Sequence, residues 1–233
     1  QLKDLETLEK RIGAIERKAK SGDKESEKIY KVYTEAREHL VSGDSIRSLD
    51  IDEGLFKFLD ELQLITAKPV IYVCNVDESS VINGNEHVDN VKELVANENA
   101  EILVLGAGIE SDIAELDDFE ERKMFLEDLG LEEPGVSKLI KNAYSLLNLQ
   151  TYFTAGEKEV RAWTIKKGMT APQAAGVIHT DFEKGFIKAE VIKFSDFVEY
   201  GSEISVKEAG KLMIQGKEYV VNDGDVMHFR FNV

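Results

Sequence analysis

The sequence predicts a multidomain α/β chain in three parts: a helical hairpin, part of a doubly wound parallel sheet, and a smaller mixed β unit. Three observations carry that prediction. Apolar residues recur at 3–4 spacing through the first third, two continuous apolar runs alternate with amphipathic stretches in the middle, and period-two alternation between turn signals fills the last third. A composition of 42% apolar and 32% charged residues is that of a globular protein. No run approaches the roughly 18 apolar residues of a membrane span, and no signal peptide opens the chain. With Cys74 as the single cysteine, the expected setting is a reducing cytoplasm, without a membrane partner. The net charge of −16 argues against a broadly basic nucleic-acid surface. Residues 66–149, with 18 acidic and 6 basic side chains, hold most of that charge.

In residues 1–65, Leu5, Leu8, Ile12, Ile15 and Ala19 follow a 3-4-3-4 spacing. Ser21-Gly22-Asp23 breaks it, and Asp23 is suited to cap a second helix carrying Ile29, Tyr33, Ala36 and Leu40. Two heptad helices joined by so short a turn predict an antiparallel coiled-coil hairpin. It reads either as an arm that projects to a partner or as packing within one domain. Leu55, Phe58, Leu59 and Leu62 mark a third helix. The opening on Gln1, already inside a helical pattern, reads as the middle of a longer polypeptide.

Residues 66–149 begin with the run Pro69 to Cys74, which predicts a strand buried on both faces, as in a parallel sheet covered by helices. Val88, Val91, Leu94 and Val95 mark a helix, and Ile102 to Leu105 a second buried strand closed by Gly106-Ala107-Gly108. Two more helices are expected, one with Phe125 and Leu129 inward and one opening at Pro134 with Leu139, Ile140, Ala143 and Leu147. The acidic run from Asp117 to Glu121 suits a helix start better than a metal site. Sheets of this kind bind ligands beyond the carboxyl ends of their strands. Here those ends are Asn75-Val76-Asp77-Glu78 and Gly106-Ala107-Gly108-Ile109-Glu110.

The first of these ends resembles the base-reading motif of P-loop GTPases, in which an Asn ends a strand and an Asp three positions later reads guanine. Glu78 is one methylene longer than that Asp, which weakens selection of guanine. Asn75 can donate to a ring nitrogen and accept from the adenine amine, and Val76 can lie against the base. Asp77 cannot substitute, because one residue of shift redirects its side chain. A capping or turn role is the other reading of an isolated Asn-x-x-Glu.

In residues 150–233, Thr151–Thr154 and Val160–Thr164 predict a hairpin around Gly156, and Pro172 opens a helix. Residues 186–192, 219–221 and 226–231 predict further strands. A mixed sheet with one helix in about 80 residues fits a β-grasp fold. The four histidines show no metal-ligand spacing with one another or with Cys74, and Cys74 reads as a buried, inert thiol.

Gly108 to Leu116, Leu129 to Gly135 and above all Leu147 to Gly156 resemble the YchF/Obg-like ATPase family, as does the turn from Lys18 to Asp23. The resemblance covers essentially the whole chain. It implies a P-loop nucleotide-binding domain interrupted by a coiled-coil arm and followed by a TGS domain. On that plan, residues 1–65 are the arm, 66–149 the C-terminal part of the nucleotide-binding domain, and 150–233 the TGS domain. The resemblance also implies ATP preferred over GTP through Asn75 and Glu78; Val76 and the strand-end residues Gly106 and Ala107 complete the candidate base site. It implies Mg²⁺-dependent ATP hydrolysis and a ribosome, with its RNA, as partner. No Gly-x-x-x-x-Gly-Lys-Ser/Thr occurs in the sequence. In the family that loop and the switch regions precede the arm, so the phosphate cradle, Mg²⁺ ligands and catalytic residues are expected before Gln1, and this chain alone is expected to be inactive. The alternative is a non-catalytic module that docks on ribosomes or RNA.

Overall fold

A computed structural model describes residues 1–98, 100–156 and 159–232. The chain divides into two compact units, Gln1–Asn142 and Ala143–Val233. Among the described residues no helix is long and apolar enough to cross a membrane.

The N-terminal unit opens with a helical hairpin, α1 (Leu2–Lys20) and α2 (Lys24–Val41). Gly22, at φ +89°, makes the left-handed turn between them. The Asp23 carboxylate then accepts the Ser26 N–H at 3.0 Å, a cap worth about 1 kcal/mol. Leu8 and Ile12 interlock with Val32, Tyr33, Ala36 and Leu40, and α3 (Glu53–Asp60) closes this core with Phe58 and Leu59. Asp4, 2% exposed, fastens α1 to the segment that leads into the sheet. Its carboxylate accepts the Ile65 N–H at 3.0 Å and the Thr66 N–H and hydroxyl at 2.7 Å each.

β1 (Ile71–Asn75) and β2 (Glu101–Leu105) pair in parallel, Ile71 opposite Glu101 and Asn75 opposite Leu105. α4 (Glu86–Leu94) forms the crossover between them. α5 (Ala107–Glu115), α6 (Phe119–Asp128) and α7 (Gly135–Leu146) follow β2, and the boundary between the units falls inside α7. Several expectations need correction. β1 is not buried on both faces, since Val73 is 46% exposed and the sheet has two strands among the described residues. Three helices follow β2 rather than two, because Gly106 caps α5 instead of merely turning the chain. Leu94, Ile140 and Leu147, part of the apolar spacing that marks their helices, are exposed. Asp118 does start α6, accepting the Glu120 and Glu121 N–H groups.

The C-terminal unit contains β3 (Leu149–Ala155), β4 (Val160–Lys166), α8 (Ala171–Ile178), α9 (Thr180–Lys184), β5 (Phe186–Ile192), α10 (Phe194–Tyr200), α11 (Glu203–Glu208), β6 (Met213–Gln215) and β7 (Val226–Phe231). Its strands lie in the order β4-β3-β7-β5-β6. The β3–β7 pair is parallel, and the other three pairs are antiparallel. Part of the β3–β4 connection, Glu157 and Lys158, lies outside the described residues. α8 begins with a Thr170–Gln173 capping box and sets Ala171, Ala174 and Ala175 among Tyr152, Ile165, Phe186, Val191 and Met227. The alternate residues Ile192 and Val226 form a second cluster with Val206.

The segment 219–221 is not a strand; it makes only an isolated bridge between Val220 and Thr170. Its shape is set by Asp225, whose fully buried carboxylate accepts Lys193 Nζ–H at 2.6 Å, the Tyr219 hydroxyl at 2.7 Å and the Asn222 N–H at 2.9 Å. A buried carboxylate needs such donors, and here they fold the chain back on itself.

Candidate functional site: the carboxyl ends of the parallel strands

Parallel pairing brings the ends of β1 and β2 side by side, so Asn75 and Gly106-Ala107 become neighbours although 31 positions apart in sequence. The Val76 N–H continues the ladder by donating to Leu105 O at 2.9 Å. Asn75 Oδ1 accepts the Ala107 N–H at 2.9 Å, which satisfies one of the free donors of the first turn of α5. The Asn75 side chain therefore ties the two strand ends together. Among the described residues its Nδ2–H donors and the second lone pair of Oδ1 stay open to a ligand.

Gly106 is buried and closely surrounded. A Cβ there would stand 3.2 Å from Ile109 Cδ1 and 3.4 Å from Val76 O. Ala107 is exposed beside it, and Val76 is half-buried, so together they offer a small apolar ledge. Asp77 serves its own turn, its carboxylate accepting the Ser79 hydroxyl at 2.7 Å. That bond, and a second from the Ser80 side chain, hold the Asp77 carboxyl below the usual carboxylate range. Glu78 opens the short 3₁₀ turn to Ser80 and is exposed. Among the described residues, its side chain joins none of the site's hydrogen bonds. The structure thus brings Asn75, Val76, Gly106 and Ala107 together, with Glu78 on the adjoining turn.

Sequence reasoning missed the role of Glu110, which lies on the first turn of α5. Its carboxylate accepts the Gly135 N–H at 2.6 Å and the Val136 N–H at 3.1 Å, the first N–H groups of α7. One signal was available. The residue before α7 is Pro134, which has no side-chain acceptor, so the free donors of that helix need one from elsewhere.

Cys74 is only half-buried. Among the described residues, no group of three or more His, Cys, Asp or Glu side chains is placed to hold a metal ion.

A family model named YchF-GTPase_C, described as a protein of unknown function (DUF933), matches residues 149–232. A protein of Bacillus subtilis called ribosome-binding ATPase YchF is 51% identical over the whole chain, and one of the same name from Haemophilus influenzae is 50% identical. The chain spans 64% and 63% of the length of those two relatives. A solved structure described as the Schizosaccharomyces pombe YchF GTPase superposes with a TM-score of 0.84 at 32% identity, over 98% of this chain and 62% of that one.

Proposed function

Because the chain belongs to the YchF family, we propose that it is the base-reading and docking portion of an ATP-binding, ATP-hydrolysing P-loop protein that acts on ribosomes in the cytoplasm. The observation that carries this reading is the Asn75–Ala107 hydrogen bond, with Glu78 on the adjoining turn. It joins an Asn-x-x-Glu strand end to the loop after the neighbouring strand, where a parallel α/β sheet takes a ligand. In this reading Asn75 faces the adenine edge, Val76 and Ala107 flank the ring, and Gly106 lets the backbone approach. Glu78, longer than the Asp that reads guanine, tips the choice toward ATP.

The reading extends to the domains. The hairpin within residues 1–65 is the family's coiled-coil arm, residues 66–149 are the later part of the nucleotide-binding domain, and residues 150–233 are a TGS domain of β-grasp type. The strand order β4-β3-β7-β5-β6, with its central parallel pair and α8 packed on one face, supports the last assignment. The metal ligands and the phosphate cradle are assigned to the part of the family's length that this chain does not span, so the chain by itself should not turn over ATP. A second reading, a docking module that engages ribosomes or RNA without nucleotide, draws support from the closed core of the C-terminal unit.

Isothermal titration of the chain with ATP, ADP and GTP separates the two. The base-site reading expects adenine nucleotides to bind with a Kd of about 1 mM or tighter, and ahead of GTP. It further expects Glu78→Asp to move the ATP-to-GTP ratio toward GTP by more than about twofold. No heat with any nucleotide would leave the docking reading standing alone.

A further inference from the structure

Four backbone segments meet around the Asn75 loop, and one carboxylate fastens two of them. Glu110 sits one turn after Ala107 on α5 and caps α7 with both oxygens, at 2.6 Å from Gly135 N and 3.1 Å from Val136 N. The approach is so close that only glycine fits at 135. A Cβ there would stand 2.9 Å from Glu110 Oε1 and 2.9 Å from Leu105 Cβ, the residue that leads into Gly106. The start of α7 therefore abuts the end of β2 and the first turn of α5 together. On the other side the same turn is held by Asn75 Oδ1. Two hydrogen-bonded fasteners, one from β1 and one to α7, fix where the Gly106-Ala107 backbone stands.

We infer that Glu110 is a positioning residue for base recognition: by holding α5 against α7 it fixes the Gly106-Ala107 ledge beside Asn75, where the base would be received. The inference rests on the base-site reading above and adds a residue that itself touches no base. The physical reason is directional. A carboxylate accepts from two N–H groups at once and sits favourably at the positive end of a helix, whereas an alanine leaves both donors unmet and an amide satisfies one. Released from α7, α5 would keep its packing through Ile109 and Ile113, but its first turn would have Asn75 as its one remaining side-chain fastener, and the partner that sets the Asn75 rotamer would be less firmly placed.

The test is a titration of the isotope-labelled chain with adenosine, which probes the base site without phosphates, followed through the amide signals of Asn75, Val76, Gly106 and Ala107. Glu110→Ala should weaken adenosine binding roughly fivefold, and Glu110→Gln, which keeps one acceptor, should weaken it less. Gly135→Ala, which keeps the carboxylate but forces α7 away, should reproduce the loss. All are compared well below their melting temperatures, where a capping role alone would lower the Tm and leave the Kd of the folded chain unchanged. Binding to the unsubstituted chain that Glu110→Ala and Gly135→Ala leave within about twofold overturns the inference alone. Absence of binding to the unsubstituted chain overturns the base-site reading, and the inference with it.

Discussion

In the five-stranded sheet, Tyr152, Val191 and Met227 are at most 1% exposed, whereas Val73, in the middle of β1, is 46% exposed. Both segments read as apolar strands, and both are paired along their length. The difference lies in what covers them. β3, β5 and β7 have α8 and its alanines packed on one face and a second cluster around Val206 on the other. Among the described residues β1 has one neighbour, β2, in a two-stranded sheet. Burial belongs to the assembly of elements rather than to the strand, so hydropathy alone could not tell these strands apart.

If that contrast is sound, truncation should separate the two sheets. The largest effect is expected for Tyr152→Ala, which removes a fully buried ring and its hydroxyl bond to Ala174 O at 2.9 Å. Burial raises the Tyr152 hydroxyl well above its ordinary pKa, so it is a neutral donor at any working pH. Loss of the ring should cost the C-terminal unit about 3–5 kcal/mol. Urea unfolding can follow this through Trp163, the chain's single tryptophan, which packs against that core.

An intermediate effect is expected at Asp4. Burial pushes its pKa up, but the Thr66 and Ile65 N–H groups and the Thr66 hydroxyl outweigh burial and leave it lowered. A depressed folded pKa gives stability that is present above the unfolded value, about 3.9, and lost as pH falls through the folded value. Asp4→Asn should therefore destabilise the hairpin core by about 2 kcal/mol at neutral pH. It should also flatten the acid limb of a stability profile measured by helix circular dichroism. A profile as steep as that of the unsubstituted chain below pH 4 would assign the acid sensitivity to other carboxylates. The smallest effect is expected for Val73→Ala, within about 0.5 kcal/mol, because the methyl groups it removes already meet solvent.

Much of the fold was legible because its signals are local. The hairpin announced itself through the spacing of Leu8, Ile12, Tyr33, Ala36 and Leu40, and its turn through Gly22 and Asp23. α8 was marked by Pro172, and β5 by its alternation. What escaped was set by long-range partners. The segment 219–221 has strand-forming residues, yet Asp225 bends it. α5 was hidden because Gly106-Ala107-Gly108 reads as a turn, and its start is stabilised by Asn75 from another strand. Asn75, Val76, Gly106 and Ala107 could be nominated from two strand ends, since parallel pairing places such ends together. For Glu110, Pro134 signals only that α7 needs an acceptor from elsewhere; which residue supplies it stays hidden, because the partners lie 25 and 26 residues away and the residue type is common on helices.

The most direct test of the contrast between the two sheets is hydrogen exchange on the intact chain, read amide by amide under native conditions. A covered sheet opens only with its whole unit, while a thinly covered one opens by local fluctuation. The ladder amides of β1 and β2 should exchange at least about 100-fold faster than those of β3, β5 and β7. Equal protection in the two sheets would contradict the account, because it would mean that β1 and β2, with Val73 at the surface, are held by the chain as firmly as the closed core around Tyr152.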